Sequence, residues 1–172
     1  MKQIRTYLDK IMRVINALVF AILSLLTIWQ VSTRYLLSDP STWSEELASY
    51  LFAWVTLLGA AYVFGKREHM NIPIITDKVS PKTQRILAII NESIIFLFAI
   101  FVLVYGGLSI TSLTMGQMSS SLPIKMGYFY AAIPISGVFI AIYSVLNIYD
   151  LFKGNTINRN ANGEITIEDT HA

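Results

Sequence analysis

The 172-residue chain has no cysteine and only two histidines, His69 and His171. The first absence excludes a disulfide framework, a thiolate zinc site, an iron–sulfur cluster and a Cys-x-x-Cys redox pair, and with them the quinone-linked disulfide enzymes. The second leaves a four-helix haem protein without its histidine pairs, unless other chains supply them. Charge is scarce too, at 14% of residues, against roughly 25% in soluble domains. Thirteen basic and 11 acidic side chains cannot cover a water-soluble body of 19.3 kDa. In their place, 54% of the residues are hydrophobic and the mean hydropathy is +0.55. This is the composition of an integral membrane protein. The net charge of +2 comes from basic residues flanking apolar stretches, so it gives no indication of nucleic acid as a partner.

A helix rises 1.5 Å per residue, and about 20 apolar residues cross a hydrocarbon core of about 30 Å. Four stretches reach or approach that length, and helices are expected near 12–36, 43–66, 83–114 and 125–152. The expected fold class is therefore all-α: a polytopic membrane protein with four long, tilted spans, since a stretch longer than the bilayer is thick fits by tilting. Residues 1–153 form one transmembrane domain in this reading, and 154–172, rich in Asn, Thr and acidic residues, a flexible cytoplasmic tail.

Lys2, Arg5, Lys10 and Arg13 precede the first apolar run in the manner of a secretory signal. No Ala-x-Ala site follows, and Trp29, Gln30 and Arg34 stand there instead, so the segment reads as an uncleaved anchor. Its first ten residues, with apolar positions at helical spacing against Lys2, Arg5, Lys10 and the following Arg13, are expected along the cytoplasmic interface. Eleven of the 13 Lys and Arg residues lie in the N-terminal flank, the 66–85 loop and the tail. The positive-inside rule then places both termini in the cytoplasm. Trp29, Tyr35, Trp43, Tyr128 and Tyr130 mark the opposite membrane face, where aromatic rings favour the headgroup level. Thr42 with Glu45 fits a capping box opening the second helix, and Ser80-Pro81 opens the third.

Ionisable residues near the spans are the first functional suspects, because an unpaired charge in lipid costs several kcal/mol. Glu92 falls about 13 Å along the third helix from Thr83. Three readings remain open for it: an interfacial carboxylate in water near Asn91 and Arg85, a partner for a basic residue of another subunit, or a proton or cation site. Small multidrug exporters with four spans carry their carboxylate in the first span, and this first span has none. Glu45 and Glu46 sit in the first turn of the second helix, where the helix dipole favours negative charge. They read either as caps or as an acidic patch, balanced by Arg34, that docks a partner. His69 has no second ligand for a metal, and reads as interfacial or as a subunit contact. Trp54 reads as packing or lipid-facing. Small residues four apart, Ala61 with Gly65, Gly127 with Ala131 and Gly137 with Ala141, together with Gly106-Gly107, mark faces suited to close helix contact.

Read as one unit of about 36 residues, the stretch from Arg34 to His69 carries a pattern: Arg34-Tyr35, Trp43-x-Glu45-Glu46-Leu47-Ala48, Leu51-Phe52-x-Trp54, Leu58-Gly59-Ala60-Ala61 and Arg67-x-His69. It resembles the small membrane subunit, of the DctQ type, of tripartite ATP-independent periplasmic (TRAP) transporters. Met70-Asn71-Ile72-Pro73 departs from the family pattern, which often continues with aliphatic residues and an aspartate. The resemblance implies a bacterial inner-membrane, non-enzymatic protein with no cofactor of its own. It implies a large multi-span membrane subunit that holds the substrate and sodium sites and moves as an elevator, and a periplasmic binding protein that delivers the substrate. The small subunit is then a scaffold in the lipid bilayer, with Arg34, Trp43, Glu45, Glu46, Trp54, Arg67, His69 and Glu92 as candidate interface or docking residues. The family's substrates are organic acids, notably C4-dicarboxylates and sialic acids, with sialic acid preferred here. The competing expectations are a stand-alone homodimeric four-span transporter that uses Glu92, and a membrane anchor of a redox complex.

Overall fold

The computed structural model describes residues 2–66, 81–152, 155–159 and 165–169. Helix α1 runs Lys2–Tyr35 and α2 Thr42–Gly65. The third membrane-length element is composite: α3 (Pro81–Phe98), a π-helical segment (Ala99–Gly106) and α4 (Gly107–Thr114). A single turn, α5 (Gly127–Tyr130), leads into α6 (Ala132–Phe152). Four spans result, Arg5–Tyr35, Thr42–Gly65, Thr83–Thr114 and Gly127–Phe152, of 31, 24, 32 and 26 residues. At 1.5 Å per residue the longest reaches about 48 Å, well beyond the hydrocarbon core, a length that fits by tilting, kinking or extending past the core.

The spans fall close to the expected ones, with one correction at the start. Residues 2–11 do not form a separate interfacial helix but the first turns of α1, and Arg5 and Asp9 are buried at 7% and 9% exposure. Two polar positions of that stretch, Arg5 and Asp9, thus face protein, while Gln3, Thr6 and Lys10 are exposed.

Among the described residues, the closely packed neighbours are the first span with the second, the second with the fourth, and the fourth with the third. The spans thus stand in a row, first, second, fourth, third. Lipid tails are as apolar as leucine, so burial alone does not drive such helices together; close packing and polar contacts do. The anticipated small residues supply the packing. A Cβ on Gly137 would stand 2.6 Å from the Cβ of Leu103, and one on Gly107 2.8 Å from Pro134 Cδ, so the third and fourth backbones approach as only glycine permits. Gly106 faces no neighbouring helix in this way. The π segment presents Ala99 and Leu103 to this contact, Ala99 fully buried. Pro134 lies in the first turn of α6, where its missing N–H costs least. The core joins Met12, Leu58, Ala61, Ala99, Ile140, Ala141 and Tyr143.

Beyond α6, β1 (Asn155–Arg159) and β2 (Ile165–Asp169) pair antiparallel, with Ile157 opposite Ile167. The sequence reading assigned no element there. Ile165-Thr166-Ile167 shows the two-residue period of a strand, short enough to be overlooked in a polar tail.

Candidate functional site

The fourth span is gripped by polar side chains at both ends. At the end where the helix connections 36–41 and 115–126 lie, the grip comes from α2. Ser41, with φ −83° and ψ 106°, is its N-cap residue and makes no side-chain capping bond. The expected Thr42–Glu45 capping box therefore does not form: Thr42 is already helical, the Ser41 and Ser44 hydroxyls bond to each other, and Glu45 is exposed. Glu46 does not serve as a cap for its own helix either. Its Oε2 accepts from the Ser121 amide at 2.7 Å, and its Oε1 from the Ser120 amide at 3.3 Å and the Tyr50 hydroxyl at 3.0 Å. Hydrogen bonds to a carboxylate are the stronger kind. Tyr50 in turn stacks on Phe129, ring centroids 3.7 Å apart and planes 8° from parallel. The carboxylate thus ties α2 to the loop before the fourth span, and the ring ties it to that span's first turn. The loop is itself closed by the Ser119 amide on Ile124 O and the Met126 amide on Gln117 O, both at 2.9 Å.

At the opposite end, where α1 begins and α6 ends, the last turns of α6 are held from both sides. From the first span, Arg5 Nη1 pairs with Asp150 Oδ2 at 3.0 Å while Nη2 donates to Gly65 O at 2.8 Å. One turn further along α1, Asp9 Oδ1 accepts from the Tyr143 hydroxyl at 2.7 Å. From the third span, Glu92 Oε1 accepts from Asn147 Nδ2 at 2.9 Å. Arg85 reaches the carbonyls of Leu151 and Phe152, with Nε 2.6 Å from Leu151 O and Nη2 2.9 Å from Phe152 O. A guanidinium on the last carbonyls of a helix satisfies acceptors that have no partner within the helix, and it complements the negative end of the dipole.

Glu92 is 2% exposed and Asn147 1%. The reading of Glu92 as an interfacial carboxylate in water is thereby corrected: it is buried within the chain, against Asn147 of the fourth span. The other candidates do not form one site. Arg34 and Glu45 are exposed near the connection end, and Trp43 is 42% exposed there, with Glu46 close by but turned into the protein. Trp54 is half-buried against the core midway along α2. Arg67 and His69 lie outside the described residues.

Sequence reasoning passed over Arg5, Asp9, Arg85, Tyr143, Asn147 and Asp150. A signal existed: Tyr143, Asn147 and Asp150 recur at i, i+4 and i+7 on an otherwise apolar helix, one polar stripe on one face. Arg5 and Asp9 repeat that spacing in α1. No group of three or more His, Asp or Glu residues able to hold a metal occurs among the described residues. An apolar groove of about 320 Å³ opens between the second and third spans, lined by Leu57, Ala60, Phe64, Ile94 and Phe98 and floored by Ser136 and Ile140 of the fourth. The chemistry this arrangement performs is mechanical: it spends its polar groups on fixing helices to one another.

Residues 23–154 match the family model described as tripartite ATP-independent periplasmic transporters, DctQ component. The chain is 32% identical to the sialic acid TRAP transporter small permease protein SiaQ of Vibrio cholerae, over 89% of this chain and 88% of that one. It is 24% identical to the C4-dicarboxylate TRAP transporter small permease protein DctQ of the same organism, over 57% of this chain and 42% of that one. A third similarity, at 24% identity, joins 88% of this chain to 23% of the much longer sialic acid TRAP transporter permease protein SiaT of Haemophilus influenzae.

Proposed function

The chain belongs to the DctQ component family of the tripartite ATP-independent periplasmic transporters, as a small permease subunit and a multi-pass protein of the bacterial inner membrane, and on that premise we propose that it is the static scaffold of a sodium-coupled organic acid importer. Its relatives are transporter subunits, not enzymes. The observation that carries the scaffold reading is the use made of the polar residues. Arg5 and Asp150, Asp9 and Tyr143, and Glu92 and Asn147 each join two spans of this same chain. Substrate and sodium then bind a large multi-span partner whose transport domain slides as an elevator against this subunit, and a periplasmic binding protein delivers the substrate. The chain termini lie in the cytoplasm, as the lysine and arginine distribution favours. Glu45, Trp43 and Arg34 then face the periplasm, exposed where a partner or the binding protein would meet them.

Sialic acid is the substrate class we favour, supported by similarity to SiaQ along nearly the whole chain. The C4-dicarboxylate relative aligns over a shorter part. The test is uptake into proteoliposomes under an inward sodium gradient with the binding protein present. Uptake of sialic acid is expected from the two membrane chains together and from neither alone. Full-rate uptake by the large subunit alone would remove the scaffold role, and uptake of a C4-dicarboxylate instead would correct the substrate alone. The homodimeric transporter driven by Glu92 is not favoured, since that carboxylate is enclosed between two helices of one chain.

A further inference from the structure

We propose that the Arg5–Asp9 turn of the first span is a latch: it locks the outermost helix of the row to the end of the second and fourth helices, and its release lets that helix swing about the 36–41 connection while the other three stay packed. The first span is the least enclosed, with 6% of its most apolar window buried, against 44% for the fourth. It packs on α2, with Leu8, Met12 and Ile15 joining the apolar core and Asn16, which faces Gly59, turning its amide N–H back to the Met12 carbonyl of its own helix. In a bilayer these contacts can be exchanged for acyl chains at small cost, because lipid is as apolar as the helix it replaces. Arg5 and Asp9 cannot be exchanged in that way, since acyl chains offer neither a donor nor an acceptor.

The junction is built so that these two residues find partners only when three helices converge. Arg5 donates to the last carbonyl of α2, that of Gly65, and pairs with Asp150 of α6. Asp9 needs the hydroxyl of Tyr143, whose ring lies against Gly65 so closely that a Cβ there would come within 2.5 Å of it. Gly65 thus serves twice: its carbonyl receives the arginine, and its bare face lets the tyrosine reach the aspartate. At the other end of the first span the chain is held by the turn itself, with the Leu36 amide on Ser32 O at 2.9 Å and the Asp39 amide on Thr33 O at 3.1 Å. Ser38 takes a positive φ of 53° within that turn. A helix fixed covalently at one end and by a polar junction at the other, with exchangeable contacts between, pivots when the junction opens. This holds whichever substrate the assembled transporter carries.

The absence of cysteine makes the experiment direct, because introduced cysteines are the only ones labelled. Spin labels are placed on Tyr7→Cys and Val145→Cys, on Leu25→Cys and Val145→Cys, and on Phe52→Cys and Val145→Cys, all at exposed positions. Distances are then measured by pulsed electron resonance in lipid nanodiscs. With the latch intact, each pair gives a narrow distribution. In Tyr143→Phe combined with Asp150→Asn, the Tyr7 pair is expected to broaden about twofold, the Leu25 pair less because it is nearer the pivot, and the Phe52 pair not at all. Equal widths for the Tyr7 pair with and without the latch overturn the proposal. So does broadening of the Phe52 pair, which would make the network a general support of the fold, and so does equal broadening at Tyr7 and Leu25, which would leave no pivot.

Discussion

The first and fourth spans are close in mean hydropathy, 2.2 and 1.9, yet 6% of the one window is buried and 44% of the other. Hydropathy therefore assigns both to the membrane and distinguishes nothing within it. The difference lies in side-chain size and polarity. The fourth span buries Pro134, Ser136, Gly137, Ala141, Ser144 and Asn147, small or hydrogen-bonding residues that admit other helices closely. The first span exposes Leu18, Ile22, Leu25 and Trp29, which suit lipid or a neighbouring subunit. Its buried residues among those described are few: Arg5, Asp9 and Met12 in the opening turns, and Thr33 near the far end. In a solvent that is itself apolar, the bulky aliphatic residue is the outside residue and the small or paired polar residue the inside one.

The sharpest way to break this contrast is to make the fourth span bulky. Gly137→Leu drives a side chain into Leu103 and is expected to cost about 3 kcal/mol, read as a shift of the unfolding midpoint in a denaturing-detergent titration. Next comes Asn147→Leu, which removes the donor to Glu92 Oε1 at 1% exposure. About 2 kcal/mol should be lost, and in the Glu92→Gln background the same change should cost clearly less if the two act as a pair.

A smaller effect belongs to the connection end. Glu46→Gln keeps the shape but loses the charge that holds the Ser120 and Ser121 amides. Those two amides should exchange hydrogen roughly tenfold faster, with the rest of the fourth span unchanged. Smallest of all is Leu25→Ala on the first span, at 68% exposure. For the isolated subunit the change should stay within about 0.5 kcal/mol. A loss as large as that of Gly137→Leu would show that the first span is an interior helix after all, and the contrast between the two spans would fail.

The spans, the small-residue faces and the membrane class were legible because each is a property of a short window. Twenty apolar residues or a glycine four from an alanine need no knowledge of the rest of the chain. The polar residues were harder. Glu46 looked like a cap because caps and tertiary clamps occupy the same first turn, and only the position of Ser120 and Ser121 tells them apart. Glu92 looked interfacial because its depth was counted along one helix, without the partner 55 residues away. The capping box at Thr42–Glu45 failed by a single residue, since Ser41 is the true N-cap.

What the sequence determined by itself is partition: which segments leave water, and that this chain brings no cysteine chemistry. The tertiary structure decided pairing. Arg5 meets Asp150 145 residues away, and Tyr143 meets Asp9 across 134. Transfer of a segment into lipid is a sum over its own residues. A buried hydrogen bond, by contrast, requires two distant helices to present donor and acceptor at one depth and on facing sides. That coincidence depends on how closely Gly65, Gly107 and Gly137 let the backbones approach, which no single window of sequence contains.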